Sequence, residues 1–267
     1  MVERRRFGRG ALLDVLSEVS ASLEDPVEAC LIGGLAMMQR GLKAATKDVD
    51  IVFMDEADER AFESALRSLG FVRPREVSDP YDALGATRIV EGPDGMRFDI
   101  FVEVVCRKLR LTEGMRGRAE ELPLGGNLRL KALAPEDLFL FKGVTERDDD
   151  LADMALLAGL ALDWQLMSDE LTGDRLNGRY LPYYVVKLDE LEEAHGIVAP
   201  GRRELREEAE VTVAMSRLED RLAGGPLTIL DAARFLGEGE AFCERMLDRM
   251  VLMGIAREDD GSFHRAE

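Results

Sequence analysis

The segment from Leu31 to Phe53 constrains the fold of this chain more than any other part. It consists of an apolar stretch that runs into Gly33-Gly34, a short helical pattern, and a second apolar stretch that carries two aspartates. Two glycines at a helix N-terminus let backbone N–H groups approach a phosphate with no Cβ in the way. We therefore predict a strand, an anion-binding turn, a helix and a strand in this order.

The two aspartates, Asp48 and Asp50, are two residues apart, so a strand directs both carboxylates to the same side. A third acid, Asp99, interrupts an apolar series farther along the chain. Three buried carboxylates repel one another unless a cation holds them, and oxygen ligands suit Mg²⁺ or Mn²⁺. We predict a divalent metal site formed by Asp48, Asp50 and Asp99. The alternative for Asp99 is an acid on an edge strand that faces water.

Hydrophobic periodicity predicts an α/β (α+β) protein with a mixed sheet and flanking helices. The sequence predicts helices at 11–23, 35–40 and 56–69, strands at 27–32 and 49–53, and a hairpin of strands 88–91 and 96–102. From residue 135 onward the pattern predicts helices at 135–144, 149–162, 166–176, 183–195 and 202–222.

The last stretch predicts helices at 228–236 and 241–253 and a hairpin of strands 255–258 and 262–265, an order typical of a small winged-helix-like module. We expect three domains: an α/β domain at 1–130, a helical domain completing a cleft at 131–223, and the C-terminal module at 224–267. Cys30, Cys106 and Cys243 lie far apart in apolar surroundings, which predicts buried free thiols.

Charge and hydropathy narrow the function classes. The chain has 53 acidic and 35 basic residues and a formal charge of −18, which argues against broad, nonspecific affinity for nucleic acid. A local basic cluster at Arg4 to Arg9 is the exception near the start. No apolar run is long enough to span a membrane, and the first residues lack the pattern of a secretory signal, so we expect a cytoplasmic protein with no membrane partner. A Walker P-loop is absent, because the sequence has no Gly-Lys dipeptide.

The order and spacing of these motifs resemble those of a known protein family. Gly-Gly, then Asp-x-Asp on a strand, then a lone Asp on a later strand is the pattern of the polymerase-beta-like nucleotidyltransferases. The chain is most similar to minimal nucleotidyltransferases of the AbiEii toxin type and related uncharacterised prokaryotic proteins. The residues that carry the similarity are Gly33-Gly34-Leu35-Ala36, Gly41, Thr46-Lys47-Asp48-Val49-Asp50, Pro135 to Leu138, Lys142, Arg147, Asp150 and Asp153. It covers roughly residues 25 to 160.

The resemblance implies that the three aspartates are catalytic and bind the metal ions that carry a nucleoside triphosphate such as ATP. It further implies nucleotide contacts from residues of the turn, the following loop and two helices: Gly33, Gly34, Thr46, Lys47, Lys142 and Asp150. Relatives often have Arg where this chain has Ala44. This difference either removes a phosphate contact from the loop or moves the contact to Lys43 or Lys47. For Lys142 the alternative is a solvated helix lysine, and for Asp150 it is a stabilising acid at a helix N-terminus.

We predict a metal-dependent enzyme that transfers a nucleoside monophosphate from a triphosphate to an acceptor hydroxyl. The acceptor is left open between RNA (tRNA included), protein and a small molecule. A tRNA acceptor would require Arg4 to Arg9, Lys43, Lys47, Arg129 and Lys131 to gather on one rim of the cleft. A toxin held by an antitoxin, or a homo-oligomer, is a further possibility. The alternative is a non-catalytic regulator in which a degenerate domain accompanies a DNA- or protein-binding C-terminal module.

Overall fold

The structure, a computed structural model, describes residues 5–74, 86, 88–145 and 148–266. Its strands, in chain order, are β1 (Phe7–Gly8), β2 (Val27–Ile32), β3 (Ala45–Thr46), β4 (Asp48–Phe53), β5 (Arg88–Glu91), β6 (Arg97–Val102), β7 (Val104–Val105), β8 (Leu109–Arg110), β9 (Glu120–Leu122), β10 (Leu128–Ala132), β11 (Ala256–Asp259) and β12 (Ser262–Arg265).

Its helices, in chain order, are α1 (Arg9–Ser22), α2 (Gly33–Gln39), α3 (Glu56–Ser68), α4 (Glu113–Gly117), α5 (Pro135–Gly143), α6 (Asp148–Ala158), α7 (Trp164–Gly173), α8 (Arg175–Arg179), α9 (Leu181–His195), α10 (Arg202–Leu222), α11 (Ile229–Leu236) and α12 (Glu240–Leu252). Within the described residues, no helix is both long enough and apolar enough to cross a membrane.

Six strands form one mixed sheet in the order β5-β6-β4-β2-β10-β9. The pairs β4–β6 and β2–β10 are parallel, and the other neighbours are antiparallel. The central strands β2, β4 and β6 are almost entirely buried, which explains their continuous apolar runs. The α/β (α+β) class, the mixed sheet with flanking helices and the hairpin of β5 and β6 are confirmed.

One predicted helix is divided in the structure. The sequence predicts a single helix over 166–176, but α7 ends at Gly173 and α8 begins at Arg175. Asp174 has extended backbone angles, and its carboxylate accepts hydrogen bonds from the backbone N–H groups of Leu176 and Asn177. A carboxylate that caps a new helix competes with continuation of the old one, so the chain turns here.

The chain forms two compact units, Met1–Pro200 and Gly201–Glu267. The second unit has its own core, in which α10, α11, α12 and the β11–β12 hairpin bury Leu218, Cys243, Leu247 and Phe263. The helix, helix and hairpin order predicted for the C-terminal module is present, and its assignment as a winged helix stays a prediction. The boundaries near residues 130 and 223 also stay predictions. The three cysteines are buried and free, as predicted.

Candidate active site

The three predicted metal ligands lie on two neighbouring strands. Strands β4 and β6 are parallel and pair Asp50 with Asp99 and Asp48 with Arg97. Register partners in a sheet point to the same face, and neighbouring strands lie about 4.8 Å apart. The four side chains therefore form a compact array on one face. Asp99 is completely buried, which rules out the alternative of an edge acid facing water.

The array also contains a cation, the guanidinium of Arg97, that was not predicted from the sequence. The Nε of Arg97 donates to Oδ1 of Asp99 at 2.5 Å, and both side chains are buried. A guanidinium in this position offsets part of the repulsion between the carboxylates. The spacing of Arg97 and Asp99, at i and i+2 on a strand, is a signal that was present in the sequence.

The glycine turn packs directly against the aspartate strand. A Cβ at Gly33 would lie 2.0 Å from Oδ2 of Asp50, and a Cβ at Gly34 would lie 2.3 Å from Oγ1 of Thr46. Gly33 has a φ of +67°, a region that residues with side chains rarely adopt. The helix α2 begins at Gly33, so its N-terminus lies beside the Asp50 carboxylate. The two glycines are thus required by close packing as well as by any phosphate contact.

Residues from α5 and α6 form an ion-pair network that lines the same cleft as Asp48 and Asp50. The Nζ of Lys142 lies 2.6 Å from Oδ1 of Asp150 and 2.8 Å from Oδ2 of Asp153. Lys43 joins the same network, with its Nζ 2.6 Å from Oδ1 of Asp153. The hydroxyl of Thr145 donates to the second oxygen of Asp150. The network holds two ammonium groups in fixed positions.

The pKa of Lys142 depends on its burial and on three neighbouring carboxylates. Burial alone would lower its pKa, but the carboxylates of Asp150, Asp153 and Asp50 together raise the pKa well above its ordinary value. Lys142 is therefore charged at neutral pH, and the alternative of a solvated helix lysine is excluded because its side chain is only 13% exposed. Asp50 contributes to this effect, which connects the network to the aspartate strand.

These groups line one cleft of about 140 Å³. Its walls combine basic, acidic and small residues from the residue before β1, the glycine turn, β3 and the residues flanking it, β4, α5 and α6: Arg6, Gly34, Lys43, Ala45, Thr46, Lys47, Asp48, Asp50, Lys142, Asp149, Asp150 and Asp153. Four basic and five acidic side chains nearly balance each other. Seven predicted residues line this cleft: Gly34, Thr46, Lys47, Asp48, Asp50, Lys142 and Asp150. Asp99, which is completely buried, and Gly33 do not line it.

The N-terminal strand brings Arg6 to the cleft. Strand β1 pairs antiparallel with β3, with Phe7 opposite Thr46, so Arg6 directly precedes a strand at the cleft wall. Of the basic residues proposed for one rim, Arg6, Lys43 and Lys47 line the cleft, whereas Lys131 pairs with Glu28 at 3.1 Å. Arg4 and Arg147 lie outside the described residues.

A second, smaller cavity of about 30 Å³ adjoins the cleft. Asp50, Lys142 and Asp150 line both spaces. The remaining walls of the small cavity are mostly apolar and come from the sheet, the start of α2, the β7–β8 hairpin, α5 and the residues after α5: Ile32, Gly33, Phe101, Val105, Cys106, Phe141 and Thr145. Its size is that of one or two water molecules or a small functional group.

The aspartates of the cleft fit a metal ion that binds together with a phosphate ligand. Among the residues that the structure describes, no group of three or more His, Cys, Asp or Glu side chains is arranged to hold a metal. Mg²⁺, however, commonly takes one or two carboxylates from the protein and completes its shell with water and substrate phosphates. Asp48 and Asp50 line the cleft and supply such a pair of carboxylates, whereas Asp99 accepts a hydrogen bond from Arg97.

Comparison with known proteins gives the family. Residues 10–176, more than half of the chain, match the family described as "Nucleotidyltransferase of unknown function (DUF6036)". The chain therefore belongs to this family, and the match contains the whole cleft except Arg6. The family description agrees with the general class of reaction predicted from the sequence. No curated protein matches the chain.

Proposed function

We propose that the cleft binds a nucleoside triphosphate and transfers its nucleoside monophosphate to an acceptor hydroxyl. The observation that carries this proposal is the convergence of a glycine turn, two carboxylates and a buried lysine on one cleft. The cleft is already close to charge balance, so a triphosphate would add several uncompensated negative charges. A divalent cation bound with the nucleotide restores that balance.

In this proposal the residues have distinct roles. Asp48 and Asp50 would hold Mg²⁺ or Mn²⁺, with Asp99 next to Asp50 in the sheet register. The bound ion supplies charge stabilisation and alignment for an in-line displacement. The backbone N–H groups of α2 and the ammonium groups of Lys43 and Lys142 bind phosphate oxygens. Asp150 and Asp153 position those ammonium groups through the ion pairs described above.

The reaction proposed is a substitution at the α-phosphorus. The acceptor oxygen forms a bond to this phosphorus, the bond to the bridging oxygen of the β-phosphate breaks, and pyrophosphate leaves with the electron pair. The proton of the hydroxyl passes to a carboxylate of the site or to solvent. We further propose that the reaction is of the polymerase-beta-like type, that the chain is similar in kind to minimal enzymes of the AbiEii toxin type, and that an antitoxin is its partner. ATP is one candidate substrate.

The experiment is a binding titration with a nonhydrolysable triphosphate, with and without Mg²⁺. The wild-type protein should bind more tightly with Mg²⁺, and Asp48→Asn should remove that gain, a loss of about tenfold or more. Asp25→Asn, a change of the same kind on an exposed acid that does not line the cleft, is the control and should stay within about threefold. Equal binding by wild type and Asp48→Asn would overturn the proposal.

A second candidate is a nucleotide-binding regulator without transfer activity. The pairing of Asp99 with Arg97 favours it, because a carboxylate engaged by a guanidinium is less available to a metal. This candidate predicts nucleotide binding without release of pyrophosphate for any acceptor. Measurement of pyrophosphate with each triphosphate and total RNA separates the two candidates.

A further inference from the structure

A basic surface with two tyrosines lies next to the small cavity. We call it the tyrosine-basic surface and define it by Arg107, Lys108, Arg179, Tyr180 and Tyr183. The rings of Tyr180 and Tyr183 are 6.0 Å apart, and the Nζ of Lys108 lies 5.4 Å from the centre of the Tyr183 ring. Tyr183 is 60% exposed, which is unusual for so large a side chain.

Hydrogen bonds from Asn177 of α8 and from Tyr180, the residue after α8, fix the tyrosine-basic surface to the β7–β8 hairpin. The hydroxyl of Tyr180 donates to the carbonyl oxygen of Arg107 at 2.8 Å. The buried side chain of Asn177 accepts a hydrogen bond from the backbone N–H of Arg110 and donates one to its carbonyl oxygen. The exposed groups are therefore mounted on a fixed support rather than on a loose loop.

The hairpin also connects this surface to the candidate active site. Val105 and Cys106, directly before Arg107, line the small cavity together with Asp50 and Lys142. The Nζ of Lys108 donates to the carbonyl oxygen of Val144 at 3.2 Å, two residues beyond Lys142. The surface thus begins at the wall of the cavity where an acceptor group would meet the nucleotide.

The two segments that form the tyrosine-basic surface carry a net positive charge, whereas the whole chain is strongly negative. Residues 104–111 and 174–183 contain five basic residues and one acidic residue, in a chain whose formal charge is −18. The one acid, Asp174, caps α8 and has its second oxygen 3.4 Å from Nη1 of Arg110. Solubility does not explain a basic region in an acidic protein, whereas attraction of a polyanion does.

We propose that the tyrosine-basic surface binds the single-stranded end of an RNA and directs its terminal hydroxyl into the small cavity. This inference rests on the proposed function, and it assigns the acceptor class. Aromatic faces stack on unpaired bases, and arginine and lysine contact the phosphates between them. A duplex keeps its base faces covered, and a peptide has no regular alternation of flat groups and phosphate charges to match the tyrosines and the basic residues.

The test is fluorescence anisotropy of the full-length protein with a labelled single-stranded RNA of about twelve nucleotides, a length within the usual range for such sites. Tyr183→Ala should weaken binding about tenfold because a stacking face is lost, whereas Tyr183→Phe should stay within about twofold. Arg179→Ala should weaken binding and lower the slope of log affinity against log salt by about one. The matched control is Arg203→Ala, an exposed arginine of the second unit that lies 3.7 Å from both Glu204 and Glu207.

The outcomes separate the two proposals. Every variant should keep the wild-type affinity for the triphosphate with Mg²⁺, because none of the changed residues lines the cleft. Loss of RNA binding with intact triphosphate binding supports the RNA surface. Three results obtained with intact triphosphate binding would overturn the RNA surface. They are no binding of the single-stranded RNA, equal binding of duplex RNA, and equal losses in Tyr183→Ala and Arg203→Ala. Labelling of a protein in place of RNA during turnover overturns it as well. Absence of triphosphate binding in the wild type refutes the proposed function instead.

Discussion

At the scale of single residues, the site depends on how closely a glycine approaches a carboxylate. Gly33 leaves room for Asp50 at a distance where any side chain would collide with it. Asp50 can therefore lie this close to the α2 N-terminus only because Gly33 has no Cβ. With alanine at position 33, either the glycine turn or the Asp50 carboxylate would have to shift.

Two glycines of this region allow the collision to be tested apart from backbone strain. Gly33 and Gly41 have nearly the same φ, +67° and +70°, but a Cβ at Gly41 would have no neighbour within 4 Å. Both alanine variants should lose about 1 kcal/mol of unfolding free energy from the positive φ. Gly33→Ala should in addition lose Mg²⁺-dependent triphosphate binding by tenfold or more. Equal binding by the two variants in a titration would show that the close approach to Asp50 is unimportant.

A buried tyrosine hydroxyl gives a second prediction at this scale. Tyr184 is buried beside Gly143, burial raises its pKa well above the usual value, and its hydroxyl has no hydrogen-bond partner among the residues described. Tyr184→Phe should raise the unfolding free energy by about 1 kcal/mol, since an unsatisfied polar atom is removed. Urea unfolding measures this. Tyr180→Phe removes a hydroxyl that does donate a hydrogen bond, and should lower the free energy by a similar amount. A loss of stability in Tyr184→Phe would contradict the assignment.

At the scale of elements, a buried ion cluster joins α4, α5 and α7. Arg118 follows α4, donates two hydrogen bonds to the Asp137 carboxylate on α5, and has Nη1 2.8 Å from Oε1 of Glu170 on α7. Thr112, the N-cap of α4, donates to the other oxygen of Glu170 at 2.6 Å. The cluster fixes the start of α5, the helix that carries Lys142.

This cluster predicts a pH dependence of stability. Burial raises the pKa of Asp137 to about 6, although Arg118 acts to lower it. The unfolded pKa is about 3.9, so the folded protein binds the extra proton. The resulting stabilisation is fully present below about pH 4 and is lost as pH rises through about 6. Relative to Asp137→Asn, the wild type should therefore lose about 2 kcal/mol of unfolding free energy between pH 4.5 and 7. Urea unfolding at both pH values measures it, and a constant difference would contradict the shift.

The elements also show what the sequence can and cannot predict. The strands 27–32 and 49–53 and the hairpin at 88–102 were predictable because their apolar runs and turn residues are local signals. The pairing of β1 with β3 was missed, because two-residue strands have no periodicity. The link from Lys43 to Asp153 was missed as well, since 110 residues separate the partners and only the fold brings them together. The role of the predicted site residues stays a prediction.

At the scale of the whole molecule, the acidic composition and the two units have separate consequences. The cleft nearly balances its own charge, so the excess acid lies elsewhere on the chain. The second unit carries a complete core of its own, with Leu218, Ala232, Cys243, Leu247 and Met250 fully shielded from solvent. Among the residues that the structure describes, every one that lines the cleft lies before Pro200.

The independence of the two units is a testable prediction. A fragment of residues 201–267 should unfold cooperatively on heating, with a helical circular dichroism spectrum, because its core is internal. A fragment of residues 1–200 should bind the triphosphate with Mg²⁺ within about threefold of the full chain. Loss of binding in this fragment, with its fold retained, would show that the second unit contributes to the site.

The proposed function depends on one reaction, the transfer of a nucleoside monophosphate in the cleft. The most direct measurement is release of pyrophosphate from each triphosphate, incubated with Mg²⁺ and total RNA, by the wild type and by Asp50→Asn. We expect release with at least one triphosphate, transfer of the α-phosphate label to an acceptor, and a loss of at least about a hundredfold in Asp50→Asn, the size seen when a key electrostatic group is removed. Equal release by both proteins, or tight binding of every triphosphate without any release, would contradict the claim.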